Sequence, residues 1–368
     1  MLGRRTVFVV GAGASAELSL PVGDGLKTWI ADAIRLDRKN PQRAFASEHV
    51  NSAVMSYVMQ EEPLDRQNAY NAFQDASGII SRALPFALSI DQYLDSQRAN
   101  PTIVRLGKIG IAASILKAER ESLIGKVHSA NQILQASDAR FPQEAGNTWH
   151  LKLVQLLTAG LPKERAGQVF DDVAFVVFNY DRCLEYYLSL ALGRYYGEET
   201  GATKQALSNL TIIHPYGQVG AMTWQEGVKV PFGGNGEGQL KAVADEILTF
   251  TESANSGVTS EVKALIEGAE TIVFMGFGYL PQNVELLTAR NRAAARRVFY
   301  TTYGVSKSDS EFVDEDLEHI LRKEAATGLM RPGLYEIENV DDDDAFEKFE
   351  EEGKCVDLMK NNWMRLTR

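Results

Sequence analysis

Cysteine is nearly absent from this chain: Cys183 and Cys355 are the only two in 368 residues. Two thiols so far apart exclude a disulfide framework and a four-thiolate zinc site. The five histidines, His49, His128, His150, His214 and His319, are scattered with no pair at metal-ligand spacing, so no metal is expected. No apolar run approaches the roughly 18 residues of a membrane-spanning helix. Positive charge is in deficit: 38 Lys and Arg stand against 49 Asp and Glu, a net charge of −11. That is the wrong sign for coating nucleic acid or lying on an anionic membrane. The opening MLGRRTVFVVGAGAS carries two arginines, but its apolar run breaks into glycine almost at once, unlike a secretory leader. These absences predict a soluble cytoplasmic protein with neither membrane nor direct nucleic-acid partners.

What is present is an ordinary globular balance, 45% apolar and 24% charged, with length for two or three structural units. Strand candidates are Thr6–Val10 (TVFVV), Val173–Phe178 (VAFVVF), Thr211–His214 (TIIH), Thr271–Met275 (TIVFM) and Arg297–Thr301 (RVFYT). Continuous apolar runs of this kind suit a sheet covered on both faces. Helical patterns follow or separate them, including CLEYYLSLAL, Ser260–Gly268 and Asn283–Arg296. From about Asp24 to Gly160 the pattern is helical, with breaks near Pro41, Pro63, Pro101 and Pro142. Strands alternating with helices predict a parallel α/β sheet. The expected division is a Rossmann-like core from 1–23 and 166–330, a helical insertion over 24–165 between the first and second strands, and an acidic segment over 331–368. The glycine-rich stretch from Tyr216 to Gly238 reads as a loop or hairpin near the sheet. The run NVDDDDAFEKFEEE reads as a solvated helix cap or flexible edge.

Four strand ends carry residues suited to chemistry. After the first strand, Gly11, Ala12, Gly13, Ala14 and Ser15 form a glycine turn whose backbone N–H groups suit a pyrophosphate. Ala16 stands where a dinucleotide fingerprint has its third glycine, and Pro21 stops a helix from running on. No acidic residue follows at the spacing a dehydrogenase uses for its ribose. The bland alternative is a glycine turn with no ligand. After the second strand come Asn179, Tyr180 and Asp181; Asn179 offers donor and acceptor, and Asp181 either accepts from ribose hydroxyls or caps the next helix. His214 ends the third strand, held extended by Pro215, as a general base or a structural histidine. After the fourth strand, Gly276, Phe277 and Gly278 form another glycine turn suited to ribose or adenine.

The order GAGAS…PVG, NYD, HPYG and GFG resembles the SIR2 (sirtuin-like) family, and in particular the bacterial SIR2-like domains of antiphage defence systems, including those paired with HerA-type ATPases and Thoeris-type NADases. The match falls on Gly11, Ala12, Gly13, Ser15, Asn179, Asp181, His214 and Gly276, and extends from the first strand to about Thr302. The SIDQYLD segment containing Asp91 is similar to the same proteins. Sirtuin deacetylases carry a four-cysteine zinc ribbon that this chain lacks, and their Asn-Ile-Asp and His-Gly are Asn-Tyr-Asp and His-Pro-Tyr-Gly here. The resemblance therefore implies a SIR2-type Rossmann sheet and an NAD+ glycohydrolase producing nicotinamide and ADP-ribose. It further implies an effector of abortive infection, working as a homo-oligomer or with a HerA-type ATPase or other sensor.

On that implication His214 is the general base, Asn179 positions water or the nicotinamide ribose, and Asp181 supports the ribose or amide. Gly11–Ser15 with Pro21 hold the pyrophosphate, and Gly276, Phe277 and Gly278 accommodate the adenosine half. NAD+ enters as substrate. The rivals are an NAD-dependent deacylase or ADP-ribosyltransferase, and a non-catalytic module binding NAD+ or ADP-ribose. Arg290, Arg292, Arg296 and Arg297, on one predicted helix and strand, are a candidate contact surface or a solvated face paired with the acidic tail.

Overall fold

A computed structural model describes residues 5–37, 39, 43–125, 144–197, 201–321 and 346–367. Its centre is a six-stranded sheet: β1 (Thr6–Val10), β2 (Val173–Val177), β3 (Thr211–Ile213), β4 (Thr271–Met275), β5 (Arg297–Thr301) and β6 (Glu347–Glu351). All neighbours are parallel, in the order β3-β2-β1-β4-β5-β6. This is the doubly wound Rossmann-like order, in which the winding reverses between β1 and β4 and opens a crevice at their carboxyl ends.

Side chains of the central strands alternate between two apolar layers. Val7 and Val9 of β1 join one cluster with Val176, Ile272, Phe274, Val298 and Tyr300. Phe8 and Val10 join the other with Phe175, Val177, Val273, Met275 and Phe299. Because both faces are covered, these strands read as unbroken apolar runs.

A short α1 (Ala12–Ala16) follows β1 and stops before Pro21, as the sequence predicts. The other described elements between β1 and β2 are helices: α2 (Asp24–Ala33), α3 (Glu48–Val58), α4 (Arg66–Ala83), α5 (Ile90–Ser96), α6 (Pro101–Glu121) and α7 (Trp149–Thr158), with short 3-10 turns. Pro63 separates α3 from α4. Asn100 caps α6 by accepting from Ile103 N, and Pro101 takes the first helical position, where no backbone donor is lost. Pro41, Pro142, His128 and residues 339–345 of the acidic run lie outside the described residues. Beyond β2 come α8 (Cys183–Tyr196), α9 (Gly201–Ser208), α10 (Leu240–Asp245), α11 (Phe250–Ala254), α12 (Gly257–Gly268), α13 (Pro281–Leu287), α14 (Lys307–Leu321) and α15 (Cys355–Asn361).

Two elements differ from the sequence reading. The helix expected over Asn283–Arg296 ends at Leu287. Beyond it the backbone donors are taken by neighbours: Arg290 N and Asn291 N donate to Glu267 Oε1, Ala289 N to Ile320 O, and Ala293 N to Leu321 O. Arg290, Arg292 and Arg296 are therefore on an irregular segment, with only Arg297 on a strand. The acidic tail, read as a helix cap or flexible edge, instead supplies edge strand β6, whose glutamates and lysine hinder further strand pairing.

Candidate functional site

The loops after β1 and β4 touch backbone to backbone at the reversal point. Gly11 N donates to Met275 O at 2.9 Å and Gly13 N to Gly276 O at 3.0 Å. A Cβ on Gly11 would come 2.5 Å from Gly276 O, and one on Gly276 would come 2.3 Å from Ala14 N. Gly276 also has a positive φ of 57°, which favours glycine. Its N–H donates to Thr301 Oγ1 at 2.9 Å, so the end of β5 braces the loop. Loop-to-loop packing thus accounts for glycine at 11, 13 and 276 before any ligand is considered. Ala12 and Gly13 are exposed at the start of α1, and Gly278 is exposed with open space where a Cβ would stand.

Asn179, two residues beyond β2, is drawn under this loop. Its Nδ2 donates to Gly11 O at 3.0 Å and to Ser15 Oγ at 2.8 Å. Gly11 O can only accept, so the amide nitrogen must face it, and the carboxamide orientation is determined. Oδ1 is left as the one side-chain atom of Asn179 with no hydrogen-bond partner among the described residues. Ser15 is buried and its hydroxyl donates onward to Asp181. It serves inside the site, where the sequence reading gave it to the pyrophosphate.

Asp181 is buried and accepts from Cys183 N at 3.1 Å, tying down the first turn of α8. Burial pushes its carboxyl above the ordinary range, the Cys183 N–H works against this, and the Glu119 charge adds to it. Of the two readings of Asp181, the geometry displays the one at the helix start, as a turn contact to Cys183 N from one residue outside the N-cap, which is Arg182. Cys183 is fully buried, and burial with the Asp181 charge holds its thiol well above its ordinary value, leaving no reactive thiolate.

His214 immediately follows β3, and its side chain is 6% exposed. Nδ1 lies 2.8 Å from the main-chain oxygen of Asn179, and Nε2 lies 2.9 Å from Glu185 Oε1. Burial disfavours the charged ring, but Glu185 and the Asn179 carbonyl outweigh it and raise the pKa. With both nitrogens engaged, His214 has no lone pair open to water in this arrangement, unlike the general base that the sequence suggests. Phe277 is also corrected: it is buried, packing edge-on to Phe178 and Tyr279 at 5.1 and 5.0 Å, and belongs to the core. Pro21 is half-buried beside the turn between α1 and α2.

Sequence reasoning missed the polar bracing beneath the site. Arg182 and Glu119 are both 0% exposed and form a forked pair, Nη2–Oε2 2.5 Å and Nε–Oε1 3.0 Å. Arg182 also donates to Val230 O, and Glu119 accepts from Gly233 N. The pair thereby fastens the end of α6, the start of α8 and the glycine-rich segment, which is an irregular loop with one isolated bridge between Ala221 and Lys229. Tyr180 donates to Asp91 on α5, linking the NYD turn to the helical layer. An Arg directly after NYD and a Glu four residues on were visible signals, but nothing local named their partners.

Among the described residues, no cluster of three or more His, Cys, Asp and Glu is placed to hold a metal, and no helix is long and apolar enough to cross a membrane. A small cleft of about 180 Å³, lined by Arg297, Glu347, Phe349, Met364 and Arg365, starts at the opposite, amino edge of β5 and β6, away from these strand ends. No protein-family model matches the chain and no curated protein matches it, so its function must be argued from the chemistry of the site itself.

Proposed function

We propose that the chain hydrolyses NAD+ at the nicotinamide N-glycosidic bond. The observation that carries this reading is the Asn179 carboxamide, pinned by Gly11 O and Ser15 Oγ with Oδ1 left as acceptor, at the crevice where β1 and β4 part. Exposed Ala12 and Gly13 border it, at a strand-to-helix turn of the kind that receives a pyrophosphate. Gly278 leaves room nearby for the adenosine half.

The chemistry asks little of an acid. Nicotinamide departs from a pyridinium as a neutral molecule, taking the bonding electron pair, and the ribose passes through an oxocarbenium-like state that water then captures with loss of a proton. Asn179 Oδ1 accepts from that water or from a ribose hydroxyl and so sets its angle of approach. Such an enzyme would empty a cell of NAD+ if unrestrained. We therefore extend the proposal to an antiphage effector controlled by self-assembly or by a partner such as a HerA-type ATPase.

One observation favours a second reading, a module that binds NAD+ or ADP-ribose without turnover: His214 is engaged at both nitrogens. Chromatography of the protein incubated with NAD+, following nicotinamide and ADP-ribose, separates the two. Both products from wild type and neither from Asn179→Ala support hydrolysis; calorimetric binding of NAD+ with no product, even with the partner present, supports the module.

A further inference from the structure

Glu185 is a carboxylate that neither the glycine turns nor the strand ends called for. It lies in the first turn of α8, is 0% exposed, and reaches His214 across 29 residues of sequence. We propose that Glu185 is a positioning residue that holds His214 as a doubly protonated imidazolium, clamping the main chain of Asn179 and thereby fixing its carboxamide.

The hydrogen-bond inventory carries most of the argument. A main-chain oxygen can only accept, so the 2.8 Å contact with Asn179 O requires a proton on Nδ1. The remaining nitrogen faces a carboxylate at 2.9 Å. Either Nε2 keeps a proton and the pair is ionic, or the proton sits on Glu185 and both groups are neutral. One feature favours the ionic form. Glu185 lies in the first turn of a 14-residue helix, where the backbone dipole favours negative charge. Donor satisfaction does not separate the two forms, since in either one every N–H and O–H of the pair has an acceptor, and Glu185 Oε2 stays buried without a partner among the described residues.

Among the other described ionisable neighbours the one cation is Arg182, which makes its direct ion pair with Glu119 and reaches Glu185 through charge attraction alone. Asp181, from the turn after β2, faces His214 and adds to its preference for charge. Arg182 and Cys183 precede Glu185 on the same turn; Arg182 is spent on Glu119 of α6, and the Cys183 thiol stays protonated. The clamp acts at one remove. His214 and Glu185 hold Asn179 O from one side, while Gly11 O and Ser15 Oγ hold its Nδ2 from the other.

The clamp can be read without substrate; only its consequence for turnover rests on the hydrolase reading. Full-length protein labelled with 15N at histidine is observed by NMR from about pH 6 to 8.5, with the His214 signals assigned by their loss in His214→Gln. The expected spectrum shows both ring nitrogens of His214 protonated at pH 7.5, and Glu185→Gln converts the ring to the neutral Nδ1–H form. If turnover is present, that variant loses kcat about tenfold or more while KM stays within about threefold. A neutral His214 in the wild type at pH 7, or an imidazolium that survives Glu185→Gln, overturns the proposal. Circular dichroism checks the fold of Glu185→Gln; should it fail to fold, the wild-type spectrum decides alone. No turnover from wild type alongside an intact imidazolium signal removes the hydrolase reading and leaves the clamp standing.

Discussion

Gly11 and Gly276 lie so close that a single methyl group on Gly11 would stand 2.5 Å from the carbonyl oxygen of Gly276. The two loops that meet at the crevice are therefore one packed unit. Gly276→Ala is expected to cost about 3 kcal/mol or more, combining backbone strain at positive φ with a collision against Ala14 N. Gly278→Ala, two residues on, has open space and is expected to stay within about 0.5 kcal/mol of wild type. Urea denaturation of both variants checks the contrast.

Arg182 and Glu119 should be tolerable to lose together and damaging to lose singly. Arg182→Met strands a carboxylate at 0% exposure, and Glu119→Leu leaves a guanidinium without its counter-charge. Each single change is expected to cost about 3–5 kcal/mol, while Arg182→Met combined with Glu119→Leu costs clearly less than their sum. A double-mutant cycle by chemical denaturation measures the difference.

His150 is buried between Trp149 and Tyr187, and Nδ1 has no partner among the described residues. Burial lowers its pKa from 6.5 to about 3. Between those values the unfolded chain binds a proton that the folded chain refuses, so this stability is complete above about pH 6.5 and is lost as pH falls toward 3. The loss between pH 7 and pH 5 is about 2 kcal/mol. Denaturation midpoints at those two pH values should show His150→Phe gaining on wild type by about that amount in acid; an equal decline in both proteins refutes the assignment.

Asn179→Ala removes two donors to buried acceptors and is expected to cost about 1–3 kcal/mol of stability while lowering NAD+ turnover at least about 100-fold. Asn179→Asp is the sharper variant: its shape is kept, but at neutral pH it turns a carboxylate oxygen toward Gly11 O. Paired measurements of melting temperature and product formation separate the loss of the site from the loss of the fold.

How much of this was legible in the chain depends on range. Three strands, TVFVV, TIVFM and RVFYT, could be read to the residue because a strand covered on both faces reads as a nearly continuous apolar run. Asn179 and Gly276 were legible as polar or glycine-rich strand ends. β6 was not, since EKFEE at an edge has solvent beside it and so carries charge where central strands carry valine. Phe277 was misread as a ligand contact because a local pattern cannot show that Phe178 and Tyr279 enclose it. Glu119, 63 residues from Arg182, and Glu185, 29 from His214, were beyond any local pattern: their partners are chosen by the fold.

Glu17 joins parts of the molecule made at very different times. Directly after the glycine turn, its Oε2 accepts from Trp149 N and its Oε1 from Val356 N, 339 residues further along the chain. At translation speeds of about 5–20 residues per second, the second contact arrives roughly 20 to 70 s after Glu17 itself is made. Until then Glu17 lacks one of its two backbone partners, and β5 gains its outer neighbour β6 only a few residues earlier. The nascent chain therefore carries an unfinished crevice through most of its synthesis, and ribosome-stalled intermediates ending before Val356 should cleave no NAD+ under the proposed activity.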